Sequence, residues 1–213
     1  MEDDMTNMPA PTVLLPMVRV PATRRVWLVA AHGGAGCTTI YREAGDMAPD
    51  EAVWADAGRA LPVSADPAHP SMLLLCARGT SRGLESLRGL LADWHDGRFA
   101  GCRLLGVAVT APCARVPRVL RRATALVGSG APELYTLPFI RGLEVDGFPS
   151  RWPAAYRRMR ERVAARARDV WSADPAGSAH DGQVGAPGAG AALENSNASV
   201  PDGMREEGTT HVR

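Results

Sequence analysis

Residues 31–39 read Ala-His-Gly-Gly-Ala-Gly-Cys-Thr-Thr. Glycines at 33, 34 and 36 let the backbone curl around an anion, and the N–H groups that open a following helix point at it. The chemistry such a turn offers is phosphate binding. Gly33, Gly34, Ala35, Gly36, Cys37, Thr38 and Thr39 are therefore the candidate nucleotide-binding residues. Set on the template G-x-x-x-x-G-K-[ST], residues 31–38 keep Gly36 and Thr38, but Ala31 replaces the first glycine and Cys37 the lysine. The chain contains no lysine; all 24 basic residues are arginine. The backbone half of a phosphate site is present and its usual cation is missing.

Other residue types also offer chemistry. A thiol at a helix N-terminus is favoured as the thiolate, and His32 is near enough to pair with Cys37. The Cys-x5-Arg pattern fails, because Arg42 falls one residue short, and no second cysteine stands at a resolving spacing. The simpler reading of Cys37 is a small residue in the lysine's place. Arg115, Arg118, Arg121 and Arg122 form one basic cluster, and Arg151 to Arg168 hold another. Facing one way, these could bind nucleic-acid phosphates. In a lysine-free chain a solvated arginine face is the simpler account. His69, His95, His180 and His211 have no metal-ligand spacing, and no serine sits in a nucleophile elbow. No catalytic residue and no metal ligand are assigned.

The elements that must position the loop follow from periodicity. Val26 to Ala31 is a short apolar run ending in glycines, which predicts a buried strand. Thr38 to Met47 predicts a helix opening from the loop and stopped by Pro49. Residues 50–70 hold Pro62, Pro67 and Pro70, which forbid long regular elements. Met72 to Ala77 predicts a second strand. Ser81 is placed as the cap of a helix to about Asp96, with Leu84, Leu87, Leu90, Leu91 and Trp94 on one stripe. Leu104 to Val109 and Leu134 to Leu137 predict two more strands. Between them Val116 to Val127 predicts a helix with Val116, Val119, Leu120, Ala123 and Val127 inward. Trp152 to about Trp171 is the longest helix, with Trp152, Tyr156, Met159, Val163, Ala167 and Val170 as its apolar stripe. Strands alternating with helices give an α/β class with a parallel sheet.

Composition sets the outer bounds. The 213 residues allow one domain of roughly 150 residues plus tails. Hydrophobic content is 46%, enough for a sizeable core, and a net charge of +1 gives the whole chain no electrostatic case for nucleic acid or membrane. The longest apolar run, Met72 to Ala77, is too short to span a bilayer. Cysteines at 37, 76, 102 and 113 lack C-x-x-C spacing, which reads as reduced thiols in a cytoplasmic protein, without disulfides or zinc. Residues 1–23 read as a flexible proline-rich arm, with no secretory signal pattern. Residues 173–213 carry six acids against Arg205 and Arg213 and few large apolar groups, which reads as a disordered acidic tail. The domain is thereby placed at 24–172.

Several segments, taken in order, resemble one family. Gly33, Gly34, Gly36, Thr38 and Thr39 match the loop K-G-G-x-G-K-T-T of the MinD/ParA-type P-loop ATPases, with His32 and Cys37 where the two lysines stand. Met72-Leu-Leu-Leu-Cys-Ala-Arg-Gly looks like that family's late strand. Leu105-Gly-Val-Ala-Val-Thr110 looks like its G-h-V-h-N strand by the adenine pocket, with Thr110 for Asn. Tyr135-Thr-Leu-Pro138 looks like the strand ending in h-P near the base. The loop is also similar to that of an actinobacterial protein family with the pattern A-H-G-G-A-G-x-[ST]-T. The resemblance covers roughly residues 24–150. It implies a reduced three-layer P-loop-like domain with about four parallel strands and ATP or another phosphate ligand at the loop. The family's middle strands and magnesium-holding Asp should fall between the loop helix and Met72. Asp56 and Asp66 lie there, but neither follows an apolar strand in the sequence.

The expected function is a non-hydrolysing P-loop-like module acting through a protein partner or a second copy of itself, with residual nucleotide or anion binding. Phosphoryl transfer is electrostatic stabilisation plus positioning, and a neutral thiol at 37 supplies neither the charge nor the reach of lysine. The competing readings are a weak or atypical ATPase of MinD/ParA type and a DNA-binding accessory protein using its arginine helices. An arginine brought to the loop from elsewhere favours the enzyme. A loop mouth blocked by Trp54 or His32 favours the interaction module. Missing strands on one side would leave the loop strand near an edge, covered by residues 50–70 or by a partner.

Overall fold

The computed structural model describes residues 15–44, 53–143 and 145–172. Residues 1–14, the expected end of the first helix at Met47 and the tail 173–213 lie outside the described residues. In chain order the elements are β1 (Met17–Val20), β2 (Arg25–Ala30), α1 (Cys37–Ala44), β3 (Val53–Asp56), β4 (Leu61–Ser64), β5 (Ser71–Arg78), α2 (Ser81–His95), β6 (Cys102–Thr110), α3 (Arg118–Gly128), β7 (Leu134–Leu137) and α4 (Ala154–Ser172). The chain is a mixed α/β domain with several parallel strands.

The main sheet has five strands in the order β3-β2-β5-β6-β7, every pair parallel. The expectation of about four strands is corrected by β3. Its four residues, Val-Trp-Ala-Asp, are too few to show a period, and pairing with β2 rather than propensity makes them a strand. As expected, a segment from residues 50–70 covers the loop strand, and β2 is second from the edge. A further correction concerns the arm. Met17–Val20 is a strand paired in parallel with β4, so those four residues are not free chain. Pro62 sits inside β4, where a two-stranded ribbon has an open side that needs no N–H.

Two apolar clusters lie on the two faces of the sheet. Ile40 of α1 and Tyr156, Met159, Val163 and Ala167 of α4 pack on one face against Val26, Leu28, Leu74 and Cys76. Leu84, Leu87, Leu90 and Leu91 of α2 pack on the other against Val29, Leu73 and Leu75, with Ala123 and Val127 of α3 beside them. Alternate residues of β5 thus serve opposite faces, as a period of two requires, and both layers are apolar because both are covered. Burying each such Leu contributes about 1.5–3 kcal/mol.

Helix details depart from the sequence reading in places. The cap of α2 is Thr80, one residue before Ser81: its Oγ accepts the Gly83 N–H at 3.1 Å. On α3 the inward face runs through Leu120, Ala123, Thr124 and Val127, while Val119 is 71% exposed. Val116 precedes α3, and Trp152 precedes α4 and is half-buried. On α4 the stripe Tyr156-Met159-Val163-Ala167 is buried as expected. Arg160 is buried beside it, its guanidinium carbon 5.8 Å from the Trp54 ring centroid, a cation–π distance.

Candidate functional site

The topology fixes where a ligand can sit. From β2 the chain goes through α1 to β3 on one side. It then crosses to β5 on the other side of β2. The helices leaving β2 and β5 lie on opposite faces of the sheet: α1 on one, α2 on the other. A crevice opens at the carboxyl ends of two neighbouring strands whose helices diverge in this way, and that is the ligand position in open parallel sheets. Here the crevice lies between the loop 31–36 and the end of β5.

A pocket of about 210 Å³ occupies these carboxyl ends. Gly34, Gly36 and Thr39 line it from the loop and α1, Arg78 from the end of β5, and Thr110 from the end of β6. Pro138, Phe139, Ile140 and Leu143 close its other side. The predicted loop residues Gly34, Gly36 and Thr39 therefore do face a cavity. Gly33 and Thr38 are exposed, whereas Ala35 and Cys37 are buried in the core. Cys37 stands where a lysine would reach toward phosphate, yet its side chain turns away into the apolar layer. The sequence does not single out Arg78 as a site residue; the signal is a cation closing the apolar run Met72–Ala77. Its Nη2 donates to the Pro112 carbonyl at 3.3 Å. A cation from another strand thus stands beside the loop that lacks its own.

His32 explains how loop and strand are held together. Its Nδ1 lies 2.8 Å from the Gly33 carbonyl oxygen, and its Nε2 lies 3.0 Å from the Arg78 backbone N. A carbonyl only accepts and an N–H only donates, so one neutral tautomer, protonated at Nδ1, satisfies both. The ring is a strut across the crevice, and neither it nor Trp54 lines the pocket. Trp54 is buried in the core. Gly83 of α2 permits the strut: a Cβ there would overlap the Arg78 carbonyl and come within 2.7 Å of His32 Nε2. Gly36, at φ +96°, already brings its α-carbon so near Thr110 that a Cβ would lie 3.1 Å from Thr110 Cγ2.

On the β3 side Asp56 ends its strand next to the loop. Thr38 Oγ1 donates to Asp56 Oδ2 at 3.3 Å, and the Gly58 N–H donates to Oδ1 at 2.9 Å. The expectation that no aspartate follows a strand here is corrected. The signal was the Asp closing Val-Trp-Ala-Asp, hidden because the strand is only four residues long. Thr38 and Asp56 supply two oxygen ligands, a set that suits Mg²⁺ only if phosphate oxygens and water complete the octahedron. Among the described residues no group of three or more His, Cys, Asp or Glu gathers as a metal site.

The cysteines are free thiols among the described residues. The Cys37 thiol, then burial, then the Asp56 charge push the Cys76 thiol well up, and its Sγ donates to the Leu74 carbonyl at 3.6 Å. Burial pushes the Cys102 thiol up to about 12. The arginine clusters do not form one helix surface, because α3 and α4 pack on opposite faces of the sheet. On α4, Arg162 and Arg166 pair with Glu133 at 2.8 and 3.1 Å, and Arg157 lies 3.6 Å from Glu161. Among the described residues no helix is long and apolar enough to cross a membrane. Compared with protein-family models the chain matches none, and a search of curated proteins returns no match. The functional reading therefore rests on the geometry.

Proposed function

We propose that this chain is a non-hydrolysing P-loop-like module, a degenerate relative of the MinD/ParA-type ATPases, that holds a phosphate-bearing ligand at the crevice and acts through a protein partner. The observation that carries ligand binding, which this reading shares with the ATPase reading below, is the meeting of Gly34, Gly36 and Thr39 with Arg78 in one pocket at the strand ends. Arginine is a fork of donors that suits phosphate oxygens, and its charge is permanent. At about 210 Å³ the pocket is below the roughly 300–1,000 Å³ of sites that enclose a drug-sized ligand. It suits a phosphate group, or a nucleotide such as ATP whose remainder stays in solvent. Hydrolysis is not part of the reading, because no lysine bridges the phosphates and Cys37 is buried away from them. A partner surface is supported by α3, where Val119 and Leu126 are exposed on one helix face beside Arg118 and Arg122.

A weak, atypical ATPase is the second reading, favoured by Thr38 and Asp56 meeting at 3.3 Å and by Arg78 at the pocket. One experiment separates the two. Calorimetric titration of the full chain with ATP, ADP, GTP and inorganic phosphate, with and without Mg²⁺, reads binding; phosphate release from ATP reads turnover. The main reading expects micromolar to millimolar binding that Gly36→Arg abolishes, with no turnover. Turnover that Asp56→Asn removes would replace it with the ATPase. No binding at millimolar ligand would overturn both.

A further inference from the structure

A second cavity, of about 450 Å³, lies between α3, the carboxyl ends of β6 and β7 and the first turn of α4. Its wall is aliphatic: Val109, Pro112, Val116, Leu134, Leu137 and Pro138 line it. Two polar side chains of α3, Arg121 and Thr124, break that lining. They stand three residues apart on the helix, so they share one face. Thr124 is only 8% exposed, and its hydroxyl has no hydrogen-bond partner among the described residues. A buried hydroxyl in this state carries a cost that a ligand atom would relieve. Arg121 is exposed although it lines the cavity, so its stem lies along the wall and its guanidinium stands at the mouth. No described carboxylate pairs with it. The helix adds to that charge: α3 opens on Pro117 with no side-chain cap and no acid in its first turn, so its first N–H groups favour an anion.

We propose that this cavity binds a small aliphatic carboxylic acid, its chain against the apolar wall and its carboxylate accepting hydrogen bonds from Arg121 and the Thr124 hydroxyl. The volume falls inside the roughly 300–1,000 Å³ of cavities that enclose small ligands. The lining decides the ligand class. It holds no aromatic ring on which a nucleobase could stack, and no carboxylate or amide side chain to read a base edge. A plain hydrocarbon would leave both the guanidinium and the hydroxyl unused. A carboxylate uses both, through hydrogen bonds strengthened by charge, while each buried methylene of its chain strengthens binding about fourfold. Thr110, Ala111 and Pro138 line both this cavity and the crevice pocket, so the two are neighbours across one wall. The inference does not rest on the phosphate reading, because Arg121 and Thr124 do not line the crevice.

The test is calorimetric titration of the full chain with octanoate, hexanoate, octanol and adenosine. Octanoate should bind, and more tightly than hexanoate by about fifteenfold for its two extra methylenes. Arg121→Ala, a change at the surface, should weaken octanoate on the order of tenfold and leave octanol, which has no charge to lose, unaltered. Thr124→Val keeps the shape and removes the hydroxyl, and should weaken octanoate about fivefold. Ala125 lines the cavity and is exposed, so Ala125→Phe should fill the mouth and abolish binding of both octanoate and octanol. A thermal melt checks that this variant folds; if it does not, Arg121→Ala decides alone. The proposal is overturned if octanoate does not bind at millimolar concentration, or binds equally to Arg121→Ala. It is also overturned if adenosine displaces octanoate, which would make the cavity a base site, or if inorganic phosphate displaces it, which would place octanoate in the crevice.

Discussion

The contact between Gly36 and Thr110 gives a prediction that can be worked through. Gly36 holds φ +96°, a conformation L side chains rarely adopt, and a Cβ added there would lie 3.1 Å from Thr110 Cγ2 and 3.4 Å from Thr110 Oγ1. Gly36→Ala therefore carries two costs. Forcing an L residue to this φ costs about 1–2 kcal/mol. The tight contact adds roughly 1 kcal/mol, since Thr110 is not free to turn: its Oγ1 donates to the Ala77 carbonyl at 3.3 Å. The sum is about 2–3 kcal/mol. At roughly 2–4 °C per kcal/mol for a domain near this size, the melting temperature should fall by about 4–12 °C. Thr110→Ser removes the Cγ2 methyl and keeps the hydroxyl. Combined with Gly36→Ala it should recover the steric part, about 1 kcal/mol, and leave the backbone part. Thermal melts of the four proteins close the cycle. Full recovery in the double variant would show that φ does not constrain Gly36. A Gly36→Ala protein as stable as the parent would show that the loop does not press on β6 at all.

Two further outcomes are expected. His32→Ala removes the acceptor for the Arg78 N–H and the donor to the Gly33 carbonyl, and should cost about 1–2 kcal/mol; amide exchange at Arg78 should quicken, and an unchanged rate would refute the strut. Above pH 9 the folded chain should lose stability: burial pushes the Cys102 thiol up to about 12, and Cys76 and Tyr135 are raised as well. The unfolded chain releases these protons from about pH 9 upward while the folded chain keeps them, so their contribution is whole below pH 9 and is lost as pH rises through the folded values. Urea unfolding between pH 8 and 11 should show that fall, shallower in Cys102→Ala; identical slopes would refute it.

What the sequence disclosed depended on length and on contacts. Strands β2, β5, β6 and β7 are apolar runs that end at glycine or proline, and α2 and α4 have stripes long enough to show a helical period. β3 and β4 are four residues each, and β4 holds a proline, so their state is decided by the neighbours they pair with. Asp56 was hidden for that reason: its role depends on a strand that only β2 makes. The glycine loop was visible as a motif, but its cation was not, because Arg78 reaches it through sheet register and not through spacing. Val119 was misplaced on α3 because a short helix with a broad apolar face gives two stripes that fit the period almost equally well.

The ribbon of β1 and β4 has a consequence for the order of folding. Met17 pairs with Leu61, and the backbone bonds Leu61 N–H to Pro16 O and Ala65 N–H to Val20 O close it at both ends. β1 is made early during synthesis, yet its partner strand emerges only after the glycine loop, α1 and β3. Closing so long a loop before other contacts form costs entropy without return, so β1 should dock late, onto a sheet that is already assembled. It should also be the first strand to leave. The five-stranded sheet shares no ladder with it, and Met17 and Val18 are largely exposed. Its detachment is then an opening of small free energy that leaves the crevice intact. β1 would thus be the last strand in and the first out, a latch that can open while the five-stranded sheet stays closed.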